Sequence, residues 1–161
     1  MAAIKSGGNL ASVGSLGDVD TAARNALGTR VQGTDSTGNG AEYIYLTGVA
    51  STIVGSVVTF DELSITTLIA ANAKGPVAVA TGLTVAATFG WYGIQGTFLT
   101  DVVANSADNS TIGRETTDGK VGDGRAAGDQ IANAFQRAAT TSAAVVLVQY
   151  DHPYVDDFMG A

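Results

Sequence analysis

The chain has no cysteine and few of the residues that build reactive centres. Its 161 residues include one histidine, one tryptophan, two prolines and no cysteine. The missing cysteine excludes disulfides, thiolate metal sites and cysteine nucleophiles, and it fits synthesis in a reducing compartment. A Ser–His–Asp arrangement could form only around His152, which stands beside Asp151. A lone histidine next to a proline is more typical of an exposed surface residue, so we predict no catalytic residue.

Positive charge is also scarce. Eight Lys and Arg residues face fifteen Asp and Glu residues, which gives a formal net charge of −7. Nucleic-acid binding through phosphates needs clustered basic residues, and here they are scattered, so we expect no nucleic-acid partner. Only 14% of the residues are charged, against roughly 25% in an average domain. The apolar excess must therefore be buried in a core, in an interface or in both.

Long hydrophobic runs are missing as well. The mean hydropathy is +0.21, yet no stretch approaches the about 20 apolar residues of a membrane-spanning helix. The opening MAAIKSGGNLASVG has a lysine but no apolar core region of a signal peptide. We therefore expect neither a membrane segment nor a signal peptide.

Sequence motifs for phosphate and cofactor binding do not fit. The spacing of Gly122, Gly124 and Gly128 is one residue longer than the dinucleotide fingerprint, and no strand and apolar helix flank it. The chain also has neither G-x-S-x-G nor H-E-x-x-H. We therefore predict no cofactor and no cofactor-binding residue.

Acidic residues in the polar segments were considered as calcium ligands. An EF-hand needs acids at alternating positions and a distal glutamate, and this pattern is missing. We therefore predict solvated turn residues and no metal site for the acids Asp118, Asp123, Asp129, Asp156 and Asp157.

Glycine is abundant and separates short β-branched runs. The 21 glycines favour tight turns between strands. The runs include AEYIYLTGVA, GSVVTFDE, LSITTLIAA, GPVAVATGLTVAAT and GWYGIQGTFLTDVVA. This spacing predicts a mainly β domain over residues 31–150, either a sandwich or a barrel.

Three segments differ from this pattern. Residues 1–30 are small and polar, and they form either a disordered terminus, which the composition favours, or an N-terminal arm that orders on a partner. Within them, Asp18 and Gly28 could bound a short helix. Residues 105–129 form a long polar loop or insertion. Residues 151–161 are an acidic C-terminal tail, with possible partner anchors at Tyr154, Phe158 and Met159.

Residues 130–140 allow two interpretations. Ile131, Phe135 and Ala138 stand at helical spacing, and the alanines favour a helix. Alternation of Ile131, Asn133 and Phe135 would instead form a strand, followed by a turn and the clear strand AAVVLVQY.

The only tryptophan lies in the run TFGWYGIQGTFLTDVVA, at residues 88–104. In a strand, Trp91 and Tyr92 point to opposite faces, so one ring faces the core and the other faces the outer surface or a neighbour. Trp91 could be a carbohydrate platform, but a single tryptophan in an apolar run is more typical of a core residue.

Taken together, these segments resemble the capsid decoration, or cement, proteins of tailed bacteriophages. The resemblance covers about residues 41–150 and rests on EYIYLTGVASTIVGSVVTFDE, GPVAVATGLTVAATFGWYGIQG and DQIANAFQRAATTSAAVVLVQY. WYGIQG is similar to an aromatic strand that many of these proteins carry. IANAFQRAATTSAAVVLVQ is similar to their closing hairpin.

The resemblance implies a compact β-barrel or β-tulip domain with an extended N-terminal arm, and a strand at residues 131–138. It implies a non-enzymatic structural virion protein, made in the host cytoplasm and placed on the outer capsid surface. Its partners would be the major capsid protein and further copies of itself, usually in a trimer, with a dimer possible. The alternatives are a carbohydrate- or host-binding β module of a head fibre or adhesin, and an enzyme built on Asp151 and His152.

Overall fold

Every regular element that the structure describes is a β-strand. The computed structural model describes residues 14–123 and 130–156. The strands are β1 (Val19–Asp20), β2 (Arg30–Thr34), β3 (Gly40–Thr47), β4 (Val57–Phe60), β5 (Thr66–Leu68), β6 (Gly75–Ala80), β7 (Phe89–Val102), β8 (Thr111–Arg114), β9 (Val121–Gly122), β10 (Gln130–Gln136) and β11 (Ala144–Val155). The prediction of a mainly β chain is confirmed, and within these residues no helix could cross a membrane.

The longest strand, β7, organises the sheet. The described strands form one sheet in the order β2-β3-β7-β9-β8-β10-β11-β6-β4-β5, and β7 also pairs with β1, β6 and β11. Along β7, Trp91 stands opposite Tyr45 of β3, Gly93 opposite Val79 of β6, and Leu99 opposite Leu147 of β11. The fourteen residues of β7 are mostly buried, and the strand contacts this many neighbours because it is long and both of its edges are paired.

The main core collects large rings from three strands. Trp91 and Phe98 of β7 pack with Tyr43 and Tyr45 of β3 and Tyr150 of β11. Strict alternation would place residues 91 and 98 on opposite faces, because they are an odd number of positions apart. An irregular register between β3 and β7 and a φ of +127° at Gly96 shift the alternation and bring both rings to one side.

The structure corrects the prediction for the N-terminal segment. The prediction of a helix between Asp18 and Gly28 is wrong, because β1 lies there and pairs with β7. Asp18 does not cap a helix; its Oδ2 accepts a hydrogen bond from the Ser15 amide at 3.0 Å. Leu16 is fully buried, and Tyr45 Oη donates a 2.5 Å hydrogen bond to Asp20 Oδ2. Residues 14–30 of the predicted arm therefore pack on the sheet, and residues 1–13 lie outside the described part.

The two other polar segments also contain strands. β8 and β9 lie inside the predicted loop over residues 105–129, where Arg114 pairs with Val121. β11 continues to Val155, so the predicted tail over residues 151–161 begins within a strand. Phe158 and Met159 lie outside the described residues. Polarity misled the prediction because short paired strands need few apolar side chains when one face is solvated.

The strand interpretation of residues 131–138 is confirmed by β10, which pairs with β11. The register shifts between Ala132 and Ala134, and Asn133 has a φ of +59°. Because this bulge reverses the alternation, Ile131 is buried and Phe135 is exposed. Strict alternation would place the side chains of Ile131 and Phe135 on the same face, and the bulge instead separates them.

A buried carboxylate closes the turn between β2 and β3. Asp35 Oδ1 accepts hydrogen bonds from the Thr37 hydroxyl at 2.7 Å, the Thr37 amide at 2.8 Å and the Asn39 amide at 3.0 Å. Its Oδ2 accepts one from the Thr97 amide at 2.9 Å, which ties the turn to β7. Burial alone would raise the pKa of Asp35, but these hydrogen bonds hold the pKa below its ordinary value.

We expect Asp35→Asn to lower the free energy of unfolding at pH 7 by about 1–3 kcal/mol, because the new amide nitrogen would face N–H donors. Since the folded pKa is depressed, the Asp35 contribution is present above the unfolded pKa of about 3.9 and is lost as pH falls through the folded pKa. Urea unfolding between pH 7 and pH 2.5 should therefore show a shallower acid destabilisation for the variant. Asp151→Asn, at an exposed position, is the control. Parallel pH profiles for wild type and Asp35→Asn would contradict the prediction.

Candidate functional site

Trp91 is a core residue and cannot serve as a binding platform. It is 1% exposed, and its ring centroid lies 5.0 Å from that of Tyr45. Tyr92 does point to the opposite side, but it is also fully buried, in a second cluster with Leu46 and Val58. The expectation that one ring faces a surface is therefore wrong, because this second cluster covers the other side of the strand.

His152 faces carboxylates on both sides of its ring. Nδ1 lies 3.1 Å from Asp151 Oδ1, and Nε2 lies 3.3 Å from Glu42 Oε2. Glu42 Oε1 in turn accepts a hydrogen bond from Arg30 Nη1 at 3.3 Å. With both nitrogens directed at carboxylates, His152 is not placed to accept a proton from a serine hydroxyl.

The described acidic residues among the considered metal ligands do not form a cluster. Asp123 Oδ2 accepts a hydrogen bond from the Ala107 amide at 2.6 Å, so this carboxylate holds a turn. Across residues 14–123 and 130–156, no group of three or more His, Cys, Asp or Glu side chains could hold a metal ion. Gly122 lies in β9, while Gly124, Gly128, Asp129 and Asp157 lie outside the described residues.

Two pockets that share the lining residues Phe60, Gly75 and Pro76 lie along β4, β6 and the end of β11. Together we call them the Tyr154 groove. Its smaller compartment, of about 310 Å³, is lined by Phe60, Pro76, Ile94, Pro153 and Tyr154, with Arg30 and His152 at the side. Its larger compartment, of about 570 Å³, shares Phe60 and Pro76 and adds the polar side chains of Thr59, Asp61, Glu62, Thr67 and Lys74. Both volumes fall within the about 300–1,000 Å³ typical of ligand pockets.

Only one residue of this groove could be predicted from the sequence. Tyr154 was predicted as a partner anchor, and its side chain is 51% exposed. Phe60 and Pro76 carry no signal of their own, because each stands in an ordinary strand pattern. They meet Tyr154 only because β11 pairs with β6, and β6 with β4.

A sheet face on the other part of β11 carries four apolar side chains, of which three are exposed and one, Leu147, is half-buried. We call it the Leu99 face, and it consists of Leu99, Phe135, Val145 and Leu147. Leu99 pairs directly with Leu147, Val145 lies two residues away, and Phe135 pairs with the neighbouring Gln149. Arg137 partly covers the Phe135 ring, with its Cζ 5.6 Å from the centroid. The face spans three adjacent strands.

A second exposed apolar group lies where three loops meet beside the end of β3. We call it the Leu63 end, and it consists of Leu27, Leu63, Ile65, Leu83 and Val85. Backbone hydrogen bonds gather these loops: Gly28 donates to Tyr45 at 2.8 Å, Thr47 to Ser64 at 3.0 Å, and Gly48 to Thr88 at 2.8 Å. The apolar side chains of the loops therefore lie at one end of the sheet.

Comparison with known proteins identifies no relative of this chain. No protein-family model, no curated protein and no solved structure matches this chain. Function must therefore be argued from the two apolar surfaces and the groove.

Proposed function

We propose that this chain is a structural virion protein that binds the outer surface of a tailed-phage capsid. It cements adjacent major capsid protein subunits and so stabilises the head. The single observation that carries the proposal is the grouping of exposed apolar side chains into two separate surfaces, the Leu99 face and the Leu63 end. Contiguous exposed apolar residues typically mark protein–protein contacts, whereas scattered ones do not.

Two surfaces are what a cement subunit needs. One joins copies of the subunit, and the other attaches the assembly to the shell. The Leu99 face lies on paired strands, so it offers a flat and rigid surface of the kind that obligate homomeric interfaces use. The Leu63 end is formed by loops, which can follow the contour of a capsid. We assign the first to contacts between copies in a homotrimer and the second to the major capsid protein.

The resemblance to cement proteins supports the finer details of the proposal. These are a barrel- or tulip-like closure of the sheet, and an N-terminal arm that reaches a neighbouring subunit. The low charge of the chain, at 14%, suits a protein that buries much of its surface in an assembly. Many identical copies on one shell would add avidity, so each contact can be weak.

Paired charge substitutions test the two assignments separately. We expect Leu99→Glu with Val145→Glu to turn trimers into monomers in light scattering, because like charges would be buried at the contact. We expect Leu63→Glu with Leu83→Glu to keep the trimer and to weaken binding to shells lacking this protein by about 100-fold or more. Circular dichroism should show both variants folded, since all four positions are exposed in the free subunit.

Electron cryo-microscopy of the particle gives the decisive control. Density outside the shell at three-fold and quasi-three-fold positions is the expected result. Density confined to the tail or a vertex would contradict the cement proposal. So would unchanged shell binding by both double variants.

A further inference from the structure

We propose that the Tyr154 groove binds a neutral oligosaccharide. The inference does not depend on capsid cementing, because the groove is separate from the Leu99 face and shares only Ile65 with the Leu63 end. It rests on three features of the groove: the placement of its aromatic rings, the fixed orientation of its polar groups, and the balance of its charges.

The rings lie on paired strands along the groove. Tyr154 stands opposite Pro76 in the β11–β6 register, and Phe60 ends β4 beside β6. Pyranose rings stack their C–H faces on exposed aromatic rings, whose π-faces are negative. Tyr154 has half of its side chain exposed for such a contact, and Phe60 forms part of both compartments.

A local distortion of β11 orients the side chains of His152 and Tyr154 toward the groove. β11 pairs with β7 up to Asp151 and with β6 from Tyr154 onward. At the change of partner, His152 has a φ of +48°, which is costly for a residue with a side chain. Such strain persists where the surrounding structure fixes it, and it often occurs at binding sites. Here it places His152 and Tyr154 at the same compartment.

The polar groups are held in place before any ligand arrives. At the smaller compartment, the lining side chains of Arg30 and His152 are each bound to Glu42, with both contacts at 3.3 Å. At the other compartment, Asp61 Oδ1 accepts hydrogen bonds from the amides of Leu63 at 3.0 Å and Ile65 at 2.9 Å. Carboxylates and guanidinium groups have paired donor or acceptor atoms, which match the neighbouring hydroxyls of a sugar. Such preorganisation reduces the entropic cost of binding.

The charges of the lining favour a neutral ligand. The carboxylates of Asp61 and Glu62 are balanced by the cations of Lys74 and Arg30, which gives two of each sign. An anionic ligand would gain no net attraction and would approach a chain of net charge −7. A purely apolar ligand would cover the carboxylates of Asp61 and Glu62 without offering them a hydrogen bond. An oligosaccharide fits both compartments because it combines apolar ring faces with many hydroxyls.

The test measures retention of the full chain on neutral and anionic glycans. The probes are cellohexaose, maltohexaose, chitohexaose and a galactan, with a sulfated glycan and a proline-rich decapeptide as competing classes. Isothermal titration then gives the affinity for any probe that is retained. We expect binding of at least one neutral probe. Tyr154→Ala should weaken it by about tenfold or more, because the stacking ring is lost.

Two further variants distinguish a loss of binding at the Tyr154 groove from a general effect of removing an exposed side chain. Glu42→Gln keeps the size of the side chain but removes the charge that holds Arg30 and His152 at the lining, so it should also weaken binding. Phe135→Ala removes an exposed ring from the Leu99 face and should leave the affinity within about twofold. The proposal is overturned if no neutral probe binds at millimolar concentration, if only the sulfated glycan or the peptide binds, or if Tyr154→Ala binds as tightly as wild type. Loss of capsid cementing would leave these outcomes unchanged.

Discussion

Trp91→Ala is expected to lower the free energy of unfolding by about 3–5 kcal/mol, as is typical for removing a large buried aromatic side chain. The indole is 1% exposed and packs against the Tyr45 ring with centroids 5.0 Å apart. Its loss removes apolar contact and leaves a cavity that rigid paired strands cannot fill. Domains of this size are typically stable by only about 5–15 kcal/mol. Urea unfolding at fixed protein concentration, followed by far-ultraviolet circular dichroism, measures the effect.

Conservative and surface variants give this experiment its controls. Trp91→Phe keeps one ring beside Tyr45 and should lose less than half as much stability as Trp91→Ala. Tyr154→Ala removes a half-exposed ring and should cost about 1 kcal/mol or less. A cost below about 1 kcal/mol for Trp91→Ala would mean that the ring is not part of the core. A surface role for Trp91 would then have to be reconsidered.

The strands of this fold were readable from the sequence because their signal is local. Runs of β-branched residues between glycines predicted β3, β4, β6, β7 and β11, and the structure contains all of them. The alternation within β7 was only partly readable. The register irregularity and the positive φ at Gly96 depend on pairing with β3, which lies about fifty residues earlier in the chain. A pattern of period two cannot show where such a shift occurs.

The errors at the chain ends have a similar cause. Residues 14–28 have a small, polar composition, yet Leu16 and Asp20 are buried because Tyr45 and β7 provide their partners. The same holds for β8 and β9, whose polar sequence hides their pairing with each other. Local composition reports solvent preference, whereas these segments are fixed by partners that are distant in sequence.

The candidate site was the least predictable feature. The Tyr154 groove takes side chains from β2, β4, β5, β6, β7 and β11, and none of these strands carries a motif for binding. Trp91, the aromatic residue weighed as a platform, was predicted to be a core residue, and the structure confirms this. Tyr154 of the groove is instead an exposed ring at the end of β11, beyond the point where this strand changes its partner from β7 to β6.

Gly48→Ala tests whether close backbone approach sets the position of the Leu63 end. A Cβ at Gly48 would lie against the Thr84 carbonyl oxygen, and within 2.5 Å of both Thr84 C and Val85 O. These are backbone atoms that cannot rotate away, so the loop over residues 81–88 must move. That loop also holds the 2.5 Å hydrogen bond between Thr84 Oγ1 and Tyr92 Oη in the second core cluster. We expect a loss of about 3 kcal/mol or more, at the upper end of overpacking effects.

Gly40→Ala is the matched control for this substitution. Gly40 begins β3, the strand that ends just before Gly48, and a Cβ at Gly40 would meet nothing within 4 Å. Because alanine restricts the unfolded chain, Gly40→Ala should be neutral or stabilising by up to about 1 kcal/mol. Urea unfolding of both variants gives the comparison. The shell binding proposed for the Leu63 end should also be lost in Gly48→Ala, because Leu83 adjoins Thr84 and Val85 carries one of the two displaced carbonyl groups. Equal stability of the two variants would mean that the loop over residues 81–88 accommodates a methyl group at position 48. Close contact with Gly48 would then not fix the position of Leu83 and Val85.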